Sequence, residues 1–599
     1  MRLADAIIKY LHDKYGVKVV FTVTGGGAMY LNDAFGSFPG VQTIAMHHEQ
    51  SVSMAAEGYA RASNGLAVCQ LTTGPGGTNA VSGCLGAWID SEPVLFISGQ
   101  VETFSIATGS TRQSGVQEVN IISMVKPFTK YATSISNPHK ALEIIDEAIY
   151  EALSPRRGPA WVDIPLDIQN ASIDYVDPNY VSAKKDRRNT AITKLKVGKL
   201  VKKIKNSKRP VILLGNGSRS ASDSVLDFCK KYSIPIITSW NGKDLVDFDN
   251  PLLVGSAGQF GDRASNILIN DSDLIVGLGY RFSVPQVGYD PSTYAVNAEI
   301  VSVDVDEEEA KKCGYFIDNF IVSSVEEFMP ILNAEIENSS NEVSVNFTGW
   351  FSWARYLKER KFDTSTRDIE NIDSFDFTAK LSSILPHDSR VVTDMGTSFT
   401  CTHQYLRLKK GQRLITSSGL AAMGFGLPGA IGVYYQDPEK LTILVTGDGG
   451  LMFNLQELQS VKTLAMNMKI IIYENQGYLT MKHMQIARFK RLVSSDPSSK
   501  IECPDFMKIA AAFGIESKEI FTYNEVDAAL SWMFDGVCIG PQILVVHLDP
   551  WQELTPRVQT RSDETGKLFP SVLHQMYPYF TKDEEDELRT AKQKILNAT

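Results

Sequence analysis

Short apolar, β-branched runs alternate with stretches of helical periodicity along the whole chain. "VKVVFTV" (17–23), "TIAM" (43–46), "LAVCQLT" (66–72) and "PVLFIS" (93–98) read as strands. Between them "EQSVSMAAEGYARAS" (49–63) reads as a helix stopped by Asn64-Gly65. This first lobe closes at "GPAWVDIPLDIQ" (158–169), and the polar "DRRNT" (186–190) leads into a second that opens with "RPVILLGNGS" (209–218). "DLIVGLG" (273–279) and "IVSVDVD" (300–306) continue it, and "AEIENSSNEVSVN" (334–346) reads as a linker. The third lobe holds "RVVTDMG" (390–396), "LTILVTGDGG" (441–450), "MKIIIYENQG" (468–477) and "QILVVHLD" (542–549). Thr581 and Glu584 have capping-box spacing ahead of a last charged helix, which reads as a solvated or docking element. Such alternation predicts an α/β protein of parallel sheets covered by helices. The units run over 1–170, 190–335 and 373–556, with a tail over 557–599.

Length and composition narrow this only a little. A chain of 599 residues is too long for one core. A net charge of -10 argues against a nucleic-acid partner, since phosphate backbones need a basic face. Seven cysteines stand singly with no Cys-x-x-Cys, as free thiols do in a reducing compartment. The N-terminal stretch carries Asp5, Lys9, His12 and Asp13 through its apolar positions and reads as an amphipathic helix, not a signal peptide. No run approaches the roughly 18 apolar residues of a membrane span. These readings place the protein in the cytoplasm, off the membrane.

The chemistry concentrates where strands end. Asp448 follows the apolar run Leu441–Val445 and sits between glycines. Ligands bind at such tips in open α/β sheets, and Gly449 and Gly450 let the backbone approach one closely. The next strand ends at Asn475-Gln476-Gly477, 27 residues on, a separation that suits strand, helix and neighbouring strand. The Asp448 carboxylate, the Asn475 amide oxygen and the Gly477 carbonyl make a hard-oxygen set suited to Mg²⁺ with phosphate oxygens completing it. A second candidate is Glu49, at the start of its helix after "TIAM", with a partly buried carboxyl able to hand on a proton. His47-His48 beside it reads as structural.

The Asp448–Asn475 spacing and flanks resemble the diphosphate-and-magnesium motif of thiamine diphosphate enzymes, with Gly447 in the same turn and Glu474 in place of the first of two asparagines. "HHEQSVSMAAEGYARASNG" and "LTTGPGGTNAVSGCLGAWIDSEPVLFISGQ" resemble the first domain of acetohydroxyacid synthases. That resemblance implies three Rossmann-like domains, for the pyrimidine, a central role and the diphosphate, with the cofactor between the first domain of one subunit and the third of another. A homodimer or homotetramer follows. Glu49 would be the acid at N1′ of the pyrimidine, with Pro75 and Asn79 nearby and Gln117 as a further catalytic residue. "ITSSGLAAMGFGLPGAIG" (415–432) resembles the segment that bends the cofactor, with Met423 as wedge and the Ala421 carbonyl receiving the 4′-amino group.

The implied reaction is decarboxylation of a 2-keto acid, pyruvate first, with transfer of the acyl carbanion to a second carbonyl compound. The sequence departs from the family where the acceptor sits. Met484 replaces a Trp that selects 2-ketobutyrate, and Val116 replaces a Phe before Gln117. A keto sugar of a surface-polysaccharide pathway is therefore an alternative acceptor, simple decarboxylation an alternative reaction, and a cofactor-binding scaffold the non-enzymatic alternative. FAD, which the resemblance also raises, is weakened by Ser220 in place of a third glycine after Gly215-x-Gly217. Ser283 and Val284 likewise replace two acids after Arg281.

Overall fold

The computed structural model describes residues 1–175, 194–312, 317–338, 347–360, 362, 371–536, 538–562 and 568–598. Three six-stranded parallel sheets organise it. The first contains β1 (Val19–Thr22), β2 (Gln42–Ala45), β3 (Ala67–Leu71), β4 (Val94–Gln100), β5 (Tyr131–Ser134) and β6 (Ala160–Pro165), in the order β2-β1-β3-β4-β6-β5. The central sheet contains β7 (Pro210–Leu214), β8 (Ile236–Thr238), β9 (Leu253–Ser256), β10 (Leu274–Leu278), β11 (Glu299–Asp304) and β12 (Asn319–Val322), in the order β12-β11-β10-β7-β8-β9. The third contains β13 (Arg390–Thr393), β14 (Arg413–Ile415), β15 (Thr442–Gly447), β16 (Met468–Glu474), β17 (Glu516–Ile520) and β18 (Gln542–His547), in the order β14-β13-β15-β16-β18-β17.

The third sheet therefore repeats the first, strand for strand. Inner strands such as β3 and β7 are buried along their whole length, as sheets covered on both faces require. That is why they read as continuous apolar runs and not as alternations. In the central sheet the strand order reverses between β7 and β10, the switch point where open α/β sheets leave a crevice.

The chain between the sheets is more ordered than its composition predicts. The first five residues of the expected linker, 334–338, finish the helix Val325–Asn338, whose Phe328, Leu332 and Ile336 are buried. The low hydropathy of the segment hid an apolar stripe at three- and four-residue spacing. Helix Thr348–Glu359 then buries Trp350 and Trp353 in the central core, with Trp350 Nε1 donating to the Pro210 carbonyl. The "DRRNT" stretch and residues 339–346 lie outside the described residues.

Thr581 and Glu584 form the capping box that their spacing predicts: the Thr581 side chain accepts from Glu584 N, and the Glu584 carboxylate accepts from Thr581 N. The helix it starts, Lys582–Asn597, docks on the central unit through Glu587–Arg360 and Lys592–Asp271 ion pairs. No helix of the described residues is long and apolar enough to cross a membrane.

The first and third units meet along helices Glu49–Ser63 and Gly426–Gln436. A Cβ on Gly58 would lie 2.3 Å from the Gly429 carbonyl oxygen, and one on Gly432 would lie 1.9 Å from that of Ala55. The two backbones touch with no side chain between them.

Candidate active site

At the C-terminal end of β15 the chain turns directly into the short helix Asp448–Leu451. Asp448 is 2% exposed. Its Oδ1 accepts from Gly449 N at 2.6 Å, and its Oδ2 accepts from Gly477 N at 2.8 Å and Asn475 N at 3.2 Å. Burial pushes this carboxyl up to about 6, against the downward pull of those N–H groups. The tips of β15 and β16 are therefore tied together by the acid, as the 27-residue spacing predicts.

Asn475 is 2% exposed. Its Nδ2 donates to Thr397 Oγ1 at 3.0 Å, whereas its Oδ1 is buried with no donor. A buried amide oxygen left unpaired costs about 1–3 kcal/mol. This oxygen, on a residue whose N–H is bonded to the buried Asp448 carboxylate, is the observation that fits a divalent cation. Gln476 (φ 58°) and Gly477 (φ 108°) take left-handed backbone, and a Cβ on Gly477 would strike the Ser495 carbonyl at 2.5 Å. Glu474, where the resemblance has the first asparagine, turns aside to pair with His547 Nδ1 at 2.9 Å.

The glycines of the tip have internal reasons to be small. A Cβ on Gly449 would meet the Tyr478 ring at 2.3 Å, and one on Gly450 would meet the Asp394 carboxyl at 2.9 Å. Gly447 has open space around the position a Cβ would take.

Asp394, fully buried at the end of β13, is a residue the sequence reading missed. It accepts from Met395 N, Gly424 N and Gly426 N, and so ties the loop carrying Ala421 and Met423 to the Gly450 turn. Burial raises its carboxyl to about 6. Ala421 is exposed in left-handed backbone (φ 56°), which costs a non-glycine residue about 1 kcal/mol or more, and Met423 is half-buried.

On the first unit Glu49 opens its helix, with the His48 ring capping it by accepting from Gln50 N. Asn79 Nδ2 donates to Glu49 Oε2 at 3.0 Å, so these two predicted residues do meet. Pro75 starts the short helix that ends at Asn79. Gln117 (φ 64°) lies beside it, its carbonyl oxygen 2.5 Å from where a Gly74 Cβ would be. Pro75, Asn79 and Gln117 are exposed and Glu49 is half-buried.

The candidates thus form two clusters, and among the described residues no hydrogen bond joins Glu49 or Asn79 to Asp448, Asn475 or Met423. Lys482 was also missed. It stands three residues after buried Leu479 on the inward stripe of helix Leu479–Phe489, a position where the apolar pattern gives the only clue. Met484, on the same helix, is 56% exposed.

Comparison with known proteins agrees with this division. Residues 1–124 match the N-terminal TPP-binding domain of thiamine pyrophosphate enzymes, 197–332 their central domain and 394–546 their C-terminal TPP-binding domain. The chain is 31% identical over 98% of both lengths to the probable acetolactate synthase large subunit of Methanocaldococcus jannaschii. It is 30% identical to the Escherichia coli isozyme 2 large subunit over 91% of this chain and 95% of that one. With the Lactococcus lactis large subunit it shares 30% identity over 84% and 85%. The chain belongs to the acetolactate synthase family of thiamine pyrophosphate enzymes.

One further cavity, of about 930 Å³, opens at the C-terminal edge of the central sheet, where all three units meet. Asp90, Arg156, Gly217, Trp240, Arg281 and Ser418 help to line it, and Trp240 Nε1 is buried without an acceptor. The glycine pair that could approach a pyrophosphate here is already used. A Cβ on Gly215 would lie 1.9 Å from the Gly279 carbonyl oxygen, and one on Gly217 2.9 Å from Gly279 Cα.

Proposed function

We propose that this protein decarboxylates a 2-keto acid, pyruvate first, and transfers the acyl carbanion to a second carbonyl compound, with thiamine diphosphate and Mg²⁺ held at the Asp448–Asn475 tip. The observation that carries the reading is Asn475 Oδ1, a buried oxygen with no donor among the described residues, on a residue whose N–H is bonded to the buried Asp448 carboxylate. Asp448 and Asn475 would hold the metal, together with the Gly477 carbonyl, while Gly447, Gly449 and Gly450 offer backbone to the diphosphate. When bound, thiamine diphosphate supplies the electron sink for the electrons left when the carboxylate departs.

The chain's own residues do the rest. Glu49 Oε2 is held by Asn79 and among the described residues no hydrogen bond is made to Oε1, so one carboxyl oxygen can hold or pass a proton at the pyrimidine N1′. Asp394 keeps the Ala421–Met423 loop in fixed relation to the diphosphate turn, which orients without further motion during the reaction. Gln117 belongs with the first-unit cluster, against Gly74 at the start of the helix that ends at Asn79.

The two clusters on separate units support a site shared between two copies of the chain, making a homodimer the smallest active species. Refolding inactive Glu49→Gln and Asp448→Ala chains together tests it. Random pairing restores one intact site in each mixed dimer, so roughly a quarter of all sites regain activity. Mixed dimers with no turnover would rule the shared site out.

Pure protein given pyruvate, Mg²⁺ and thiamine diphosphate should yield a carboligation product. Acetaldehyde as sole product would favour simple decarboxylation, and no consumption of pyruvate or of other 2-keto acids would favour the scaffold. Exposed Met484, in place of a selective Trp, supports an acceptor other than 2-ketobutyrate, and a keto sugar is the alternative. FAD is a second reading, favoured by the cavity and its unpaired Trp240 Nε1 but not by the glycine pair. A flavin absorption spectrum from purified protein would establish it.

A further inference from the structure

Asn475 has four polar groups, and the chain spends three of them. Its N–H donates to Asp448 Oδ2 at 3.2 Å, its carbonyl accepts from Lys482 Nζ at 2.9 Å, and its Nδ2 donates to Thr397 Oγ1 at 3.0 Å. Among the described residues only Oδ1 is left, buried and without a partner. The three holding groups come from three different places: the tip of β15, the start of helix Thr397–Tyr405 and the helix after β16.

Lys482 is an unusual choice for a structural tie. It is 1% exposed, and burying an ammonium is costly unless it is paired. Among the described residues it makes one hydrogen bond, to the Asn475 carbonyl, and lies 5.3 Å from the centre of the Trp551 ring. Asp448, Asp496, Glu474 and Asp549 surround it electrostatically. A residue that served packing alone would be apolar here, since the inward stripe of its helix otherwise carries Leu479 and half-buried Ile486.

We propose that Lys482 and Thr397 are positioning residues that clamp Asn475 at its carbonyl and its amide nitrogen, so that the amide oxygen is the one group presented to a divalent cation. The proposal rests on the metal reading given above. Lys482 fixes the peptide and Thr397 fixes the side-chain torsion. Without the first, the Asn475 carbonyl is free to turn. Without the second, the amide is free to rotate and direct its NH₂ at the cation. Groups that orient a metal ligand in this way typically change metal affinity by roughly 10- to 100-fold when removed.

The test is Mn²⁺ binding by the full chain in the presence of thiamine diphosphate, followed by electron paramagnetic resonance, for wild type, Asn475→Ala, Lys482→Met, Thr397→Val and Thr397→Ser. Lys482→Met and Thr397→Val should each weaken binding roughly 10- to 100-fold, and Thr397→Ser should stay within about twofold of wild type because it keeps the hydroxyl. In an Asn475→Ala background neither substitution should weaken binding further, because both act through the amide that is gone. Losses that add to that of Asn475→Ala would show a merely structural role and overturn the proposal. So would wild-type affinity in Lys482→Met and Thr397→Val while Asn475→Ala binds poorly. Wild-type affinity in Asn475→Ala itself would instead overturn the metal reading, and this proposal with it. Should Lys482→Met fail to fold, Lys482→Gln and Thr397→Val carry the same comparison.

Discussion

The third sheet's β15 and the central sheet's β7 both end on a turn of glycines around one polar residue, Gly447-Asp448-Gly449-Gly450 and Gly215-Asn216-Gly217. In both turns glycines are demanded by neighbours inside the chain: Tyr478 and Asp394 at one, Gly279 at the other. The turns part company in their polar groups. At β7 the N–H groups of Gly215 and Gly217 donate to Leu278 and Gly279, and the Asn216 amide oxygen accepts from Arg219. At β15 the acid is buried and the adjacent Asn475 oxygen is unpaired. Glycine therefore reports close backbone approach, and what sets the β15 tip apart is an unpaired buried oxygen on a residue bonded to a buried carboxylate.

The largest test of that contrast is Asp448→Ala. It should remove Mg²⁺-dependent binding of thiamine diphosphate to below calorimetric detection. Affinity that survives and ignores EDTA would put the ligand elsewhere. Glu49→Gln extends the contrast to the first unit. Turnover should fall on the order of 10²–10⁴ with cofactor affinity kept. Near-normal deuterium exchange at the cofactor C2 in that variant would exclude Glu49.

Asp394 should behave as a folding group. Its carboxyl sits at about 6 in the folded chain against an ordinary value of 3.8. The folded state then binds the proton more tightly than the unfolded state. Its contribution to stability is full below about pH 4, falls as pH rises to about 6, and is level above that. The difference corresponds to about 3 kcal/mol. Denaturant titrations at low and neutral pH should show a slope of this sign in wild type and a shallower one in Asp394→Asn, since buried Asp448 and Asp163 contribute in the same direction; an unchanged slope would reassign it.

At the other turn, Gly215→Ala should cost about 1–3 kcal/mol of stability from overpacking, with Mg²⁺ and thiamine diphosphate affinity unchanged in the folded fraction. A binding defect there would show that the central turn also serves the site. Met484→Trp should give the smallest change, a rise in preference for 2-ketobutyrate over pyruvate of about tenfold. Strong native preference for 2-ketobutyrate would contradict the acceptor argument.

Much of this was legible in the sequence because the relevant signals are local. Strand tips, the 27-residue interval and the helix start at Glu49 all sit within single supersecondary units. The missing parts depend on contacts between distant segments. Asp394 reads as one more acid after a strand until Gly424, Gly426 and Gly450 close around it. Lys482 is the local exception: it bonds the Asn475 carbonyl seven residues back, and it reads as a surface lysine because nothing in the pattern of its helix marks a buried partner. The matching strand order of the first and third sheets leaves no trace in hydropathy, which records burial and not neighbour order. The helix through 334–338 was hidden for the opposite reason, since polar composition outweighed a sparse apolar stripe.

The bare contact between Gly58 and Gly429, and between Ala55 and Gly432, sets a mechanical limit on the molecule. Helices separated by side chains can creep past one another as rotamers readjust. Two backbones in contact slide less freely, because an axial shift carries Gly58 and Gly432 away from the carbonyls they face, while the other residues of that face one turn away carry side chains, as Ala55 and Ala62 do. The pairing works like a keyed shaft: it admits rolling about the contact and resists sliding. Any opening between the first and third units of one chain would thus be a hinge about this line, with Glu49 swinging on an arc and keeping its position along the helix.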